Sequence, residues 1–123
     1  MLYLFCLLLT VQVQNTGAEV IQWLGPTEYD FGDLPYKKEA YHTFRFKNVS
    51  GSPMVIDNVR PSCGCTSLEW QKTPIPADSL ADIRIEYDAR DKGYFRKSIR
   101  VFVSGQRKAE KLWIEGFVIA PDE

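Results

Sequence analysis

Ala40-Tyr41-His42-Thr43-Phe44-Arg45-Phe46-Lys47-Asn48 is the stretch that decides the fold class. Successive side chains of an extended strand point to opposite faces. On that period His42, Phe44 and Phe46 share one face, and Tyr41, Thr43, Arg45 and Lys47 share the other. One face is apolar and the other polar, which is the signature of a strand with one side on a core and one in water.

The pattern repeats outward in both directions. Upstream, Glu28-Tyr29-Asp30-Phe31-Gly32 alternates and is expected to turn at Gly32-Asp33, and Val20 to Leu24 is an apolar stretch broken by Gly25-Pro26. Downstream, the cluster Asn48-Val49-Ser50-Gly51-Ser52-Pro53 reads as a turn, followed by a short apolar strand from Met54 to Val59. Thr66 to Trp70 reads as a further strand, and the prolines of Lys72-Thr73-Pro74-Ile75-Pro76 make the next segment a loop. Ile83, Ile85 and Tyr87 alternate with charged residues. Phe95, Lys97, Ile99, Val101 and Val103 share a face, and Leu112, Ile114 and Gly116 alternate with Trp113, Glu115 and Phe117. No helical period appears after residue 18. About seven short strands with turn signals every 8–12 residues predict an all-β, immunoglobulin-like antiparallel β-sandwich. A long-range Cys…Trp…Cys bridge is absent from the sequence, so burial must hold the two layers together.

The chain has 123 residues, 45% apolar, 25% charged and 13% aromatic, with a net charge of −1. That is enough for one self-sufficient core. Acids and bases are interspersed, so no block of positive charge exists to attract nucleic acid. Residues 1–18 carry no charge. Leu2 to Leu9 is apolar, too short to span a bilayer, and leads through polar residues to Thr16-Gly17-Ala18. This reads as a secretory signal peptide over 1–18 with cleavage after Ala18, although no Lys or Arg precedes the apolar run. Residues 19–123 then form the domain, with no membrane span after cleavage. Cys6 lies too early in the run for a lipid-modified cysteine.

The mature chain keeps Cys63 and Cys65, in the run Arg60-Pro61-Ser62-Cys63-Gly64-Cys65-Thr66 between two expected strands. Three chemistries fit this spacing. A Cys63–Cys65 disulfide closes a three-residue loop, contributing roughly 1.6 kcal/mol by chain entropy. Two adjacent thiolates suit a soft ion such as Cu(I), with Met54 and His42 as weaker candidate ligands. Zinc would want four protein ligands, more than the strong candidates Cys63, Cys65 and His42 supply. Reversible thiol exchange is the third reading.

His42, the single histidine, shares its face with Phe44 and Phe46 and reads as a core or rim side chain. No nucleophile elbow or phosphate-cradling glycine loop is present. Glu69, Asp78, Asp82 and Glu86 read as solvated acids, not as a paired catalytic set. Trp70, beside the proline loop, and Trp113, out of phase with Leu112 and Ile114, are candidates for a binding surface. The chain is therefore expected to be no enzyme and to carry no cofactor, copper excepted.

Several runs carry a family resemblance: Tyr29-Asp30-Phe31-Gly32-Asp33-Leu34, Phe44-Arg45-Phe46-Lys47-Asn48, Pro53-Met54-Val55-Ile56-Asp57-Asn58-Val59 and, most specifically, Pro61-Ser62-Cys63-Gly64-Cys65-Thr66. Together with Gly93 to Val101 and Leu112 to Gly116 they resemble the bacterial domain of unknown function 1573. That family is similar to immunoglobulin-like domains of the Hydin and major-sperm-protein group. The resemblance implies an exported protein of the periplasm or outer envelope of a Gram-negative bacterium, and it implies no biochemical activity. The expected function is a non-enzymatic module that binds or supports another envelope protein. The alternative is a copper-binding or thiol-redox protein using Cys63 and Cys65.

Overall fold

The computed structural model describes residues 19–120; the expected signal peptide over 1–18 lies outside the described residues. Eight strands follow in order: β1 (Ile21–Trp23), β2 (Glu28–Pro35), β3 (Ala40–Asn48), β4 (Ile56–Pro61), β5 (Thr66–Trp70), β6 (Leu80–Tyr87), β7 (Gly93–Val103) and β8 (Glu110–Ile119). They form two four-stranded sheets, ordered β1-β3-β6-β5 and β2-β8-β7-β4. The sheets pack as the expected all-β sandwich. Among the described residues no helix is long and apolar enough to cross a membrane.

The alternating residues read from the sequence build the core. Phe44 and Phe46 of β3, Ile83, Ile85 and Tyr87 of β6, Ile99 and Val101 of β7, and Leu112, Ile114 and Val118 of β8 are all buried. Each such side chain contributes about 1.5–3 kcal/mol by leaving water. Tyr87 of one sheet stacks on Phe95 of the other, with ring centroids 4.0 Å apart.

The expected count of about seven strands becomes eight, and the chain changes sheet at the Gly25-Pro26 break. β1 pairs antiparallel with β3, whereas β2 runs parallel to β8, the one parallel pair among the described strands. The expected turn at Gly32-Asp33 is instead a bulge inside β2. The register with β8 shifts between Asp30 and Asp33, Gly32 sits at φ 69°, and the Asp30 carboxylate accepts the Gly32 N–H at 2.7 Å. A left-handed residue that bulges a strand and one that turns a chain ask the same of the backbone, hence the same glycine. Gly116 of β8 faces the bulge. A Cβ there would lie 2.9 Å from the Gly32 carbonyl oxygen and 2.9 Å from the Phe95 ring.

Asn48 closes β3 and is fully buried. Its amide donates to the carbonyls of Ser52 (2.8 Å), Ile75 (3.0 Å) and Pro76 (3.2 Å), and its Oδ1 accepts from the Ser50 N–H (3.0 Å) and hydroxyl (2.7 Å). One side chain thus ties the β3–β4 turn to the proline loop between β5 and β6.

Candidate functional site

The sandwich has two flanks. β2 lies across from β3 on one, and β4 lies across from β5 on the other. Cys63-Gly64-Cys65 is the arch that carries the chain from β4 to β5 across the second flank. Both cysteines are half-buried, and Cys65 packs against the core. Their sulfurs are bonded to each other, with Cα atoms 5.3 Å apart. The buried Thr66 hydroxyl lies 3.6 Å from the Cys63 sulfur and 3.8 Å from that of Cys65. The loop is anchored on both sides: Ser62 N–H donates to the Ser98 carbonyl at 2.9 Å, the Ser98 N–H donates to the Ser62 hydroxyl at 3.1 Å, and Asp88 N–H donates to the Cys65 carbonyl at 3.1 Å.

The other proposed ligands are elsewhere. β6 stands between His42 on β3 and the β5 end of the arch. Met54 is buried and bridged to Ile75, at the opposite end of β4 from Cys63. Among the described residues no three His, Cys, Asp or Glu side chains cluster as a metal site. His42 stacks face to face on Tyr29 (centroids 3.7 Å) and edge-on to Phe44 (4.5 Å), and burial holds its imidazole below the ordinary range.

The Asp88–Cys65 bond fixes the phase of β5. In an antiparallel pair, residues alternate between exchanging both backbone bonds and exchanging none. Cys65, Ser67 and Glu69 therefore bond toward β6, and the N–H and C=O groups of Thr66, Leu68 and Trp70 point to the outer edge of the sheet, which is free of any pairing strand among the described residues.

The four sheet edges are not equivalent. β1 has three residues, β2 is bulged at Gly32, and β4 shifts register between Ile56 and Asn58 and ends in Pro61. β5 pairs with β6 through Trp70 without a shift or a proline. Shortness, bulges and prolines are the ways in which proteins disable an edge. β5 carries only the charge of Glu69.

Trp70, the last residue of β5, is half-buried, with Lys72 over its ring and its Nε1 buried without an acceptor among the described residues. It borders a shallow depression of about 910 Å³, lined also by Leu68, Glu69, Arg45 and Arg84. Elsewhere on this outer face Arg45 grips Asp82 through two bonds (2.7 and 3.2 Å), and Tyr41 donates to Glu86 at 3.1 Å. Trp113, the second tryptophan singled out in the sequence, lies half-buried on the opposite outer face with Arg96 and Lys111 over its ring. The two tryptophans belong to different surfaces. The open edge itself has no residue-type signal in the sequence; it follows only from strand order.

The chain is similar to known proteins over this same body. A family model described as "Protein of unknown function (DUF1573)" matches residues 23–118. No curated protein matches. Among solved structures, a protein of unknown function from Porphyromonas gingivalis W83 is similar at TM-score 0.68 and 16% identity, over 80% of this chain and 46% of that one. This chain therefore spans less than half of that protein. The ASH / PapD-like domain 7 of human CEP192 is similar at TM-score 0.70 and 7% identity, over 84% of this chain and 87% of that one. WR4, a C. elegans MSP family member, is similar at TM-score 0.52 and 10% identity, over 83% of this chain and all of that one. At these identities the likeness is one of fold, immunoglobulin-like in the MSP and PapD-like manner.

Proposed function

This chain belongs to the DUF1573 family of proteins of unknown function, and we propose that it is a non-enzymatic binding module which receives an extended segment of an envelope protein on the free edge of β5. The observation that carries this reading is the regularity of that edge. Three edges of the sandwich are disabled by their own backbones; the fourth presents the amides and carbonyls of Thr66, Leu68 and Trp70 in register. An incoming strand would gain main-chain hydrogen bonds there, and the depression beside Trp70 would select its side chains. The disulfide arch holds the first residue of the edge in place. Export is supported by the uncharged apolar run Leu2 to Leu9.

The test removes one edge donor. Leu68→Pro deletes an outward N–H but no bond to β6, and Leu68→Ala removes the same packing while keeping the N–H. With native envelope extract, wild type and Leu68→Ala are expected to retain one common protein that Leu68→Pro loses. Equal retention by all three variants, or by none, overturns the reading.

Thiol chemistry at Cys63 and Cys65 is a second reading, favoured by the half-buried position of both cysteines in the arch from β4 to β5. It requires an external thiol–disulfide couple to supply or remove two electrons and two protons. As a dithiol the pair would offer Cu(I) two ligands. Binding of Cu(I) by the reduced protein, lost in Cys63→Ser, would support it.

A further inference from the structure

Pairing registers across the second sheet bring together three cations that are far apart in sequence. Arg60 of β4 lies directly opposite Arg100 of β7, and Arg100 lies directly opposite Lys111 of β8. All three side chains are exposed, on the outer face of the sheet. Directly opposed residues sit about 4.5–5.5 Å apart at Cβ, where like charges repel. Every other arginine on the two outer faces has an acid: Arg45 has Asp82, Arg84 has Glu69, and Arg96 has Glu28 and Glu115. Among the described residues none of Arg60, Arg100 and Lys111 is in an ion pair. The flanking two lean on aromatic rings, Arg60 over Phe102 (5.7 Å) and Lys111 over Trp113 (5.4 Å), and Arg100 remains between them.

The row has polar company. One position further along the same face, Ser62 and Ser98 adjoin on the two strands. The Ser62 hydroxyl oxygen already accepts the Ser98 N–H, so its own proton is free to be donated outward. Arg60, Pro61, Ser62, Ser98 and Arg100 line a small concavity of about 170 Å³. Two arginines and a hydroxyl donor border this one hollow, and with Arg60 swung from the Phe102 ring they supply what a tetrahedral oxyanion needs, because each guanidinium offers a planar fork of N–H donors to two of its oxygens.

We propose that this hollow binds a phosphate-type oxyanion through Arg60, Arg100 and the Ser62 hydroxyl, with Lys111 adding charge from the side. The site lies on the outer face of the sheet opposite to β5 and is independent of the open edge. The bound anion relieves the repulsion along the row, so ligand and stability are linked.

The probe is inorganic phosphate, titrated at low ionic strength against the whole chain and followed by calorimetry and thermal melting. Wild type is expected to take up one phosphate saturably, to melt higher as phosphate is added, and to release it to sulfate. Arg100→Gln is expected to bind at least tenfold more weakly and, since it removes the central repulsion, to melt at or above wild type in phosphate-free buffer. Arg90→Gln, a change away from the row, leaves both readouts unchanged. Co-sedimentation with phosphatidylglycerol vesicles, compared with phosphatidylcholine, distinguishes a headgroup from the free ion. Vesicle binding that free phosphate displaces supports the site and assigns it a headgroup. Absence of saturable uptake, equal uptake by Arg100→Gln, or vesicle binding that phosphate cannot displace overturns it.

Discussion

The two flanks of this sandwich solve the same problem differently. On the flank of β1 and β2, backbone devices close the edges: a three-residue strand, then a strand bulged at Gly32 and run parallel to β8. Side chains fasten it further. Tyr29 of β2 stacks on His42 of the other sheet, and Glu28 of β2 takes the Arg96 guanidinium across β8 at 2.6 Å. On the flank of β4 and β5, β4 is disabled by a register shift and Pro61, but β5 is regular and free. What stabilises that flank is a covalent arch at one end and the Asn48 hydrogen bonds at the other. The difference teaches that order and closure are separable. One flank is ordered by being closed, whereas the other is ordered at its two ends and left open between them.

The largest expected effect breaks the closed flank. Gly116→Ala places a methyl group 2.9 Å from the Gly32 carbonyl and from the Phe95 ring. Neither is a flexible tip, since one is backbone and the other a buried aromatic. Overpacking of this kind costs about 1–3 kcal/mol. For a domain of about 100 residues, each kcal/mol moves the melting temperature by roughly 4–8 °C. Amide exchange in β2 is expected to accelerate more than in β5. A variant that melts with wild type would mean that the bulge has room to move and that β2 is not held as described.

Cutting the arch of the open flank is expected to do less. The doubly substituted Cys63→Ser, Cys65→Ser protein loses at most about 1.6 kcal/mol, the chain-entropy worth of so short a loop. Its melting temperature falls accordingly, and exchange quickens at the Asp88 amide, which donates to the Cys65 carbonyl, while Ile83 and Ile85 stay protected. A loss comparable to that of Gly116→Ala would show that the arch, not burial, secures this side.

These differences were unevenly legible in the sequence. The core was readable because burial writes a period of two into Phe44-Arg45-Phe46 and Ile83-Arg84-Ile85-Glu86-Tyr87. The site was less so. Gly32 signals a positive φ but not whether it turns the chain or bulges it, and that choice depends on Gly116, distant in sequence. Asn48 opens what reads as a turn cluster, yet it ends β3 fully buried with five hydrogen bonds, because its partners come from the 50s and the 70s together. The free edge of β5 and the row of Arg60, Arg100 and Lys111 depend on strand order and register, which local pattern does not encode. Trp113 is out of phase with the buried Leu112 and Ile114 in the sequence as in the structure, but the cations that lean over it come from β7 and β8.

The smallest effect tests the stack that joins β2 to β3. Burial lowers the His42 pKa, so the folded protein resists protonating it. The unfolded chain binds that proton near the ordinary value of about 6.5. Above this pH both states hold a neutral imidazole and His42 places no pH dependence on stability. As pH falls below it the unfolded chain gains a proton the folded one resists, and stability declines until the folded value is reached. Urea midpoints measured from pH 7.5 down to 5.5, above the carboxylate range, should therefore fall modestly for wild type and stay level for His42→Phe, which keeps an aromatic ring against Tyr29. A parallel decline in both proteins would assign the slope to other groups. A rise in the wild-type midpoint would mean that the charged imidazole gains more from the Tyr29 ring than it loses by burial, and that protonation tightens the closed flank.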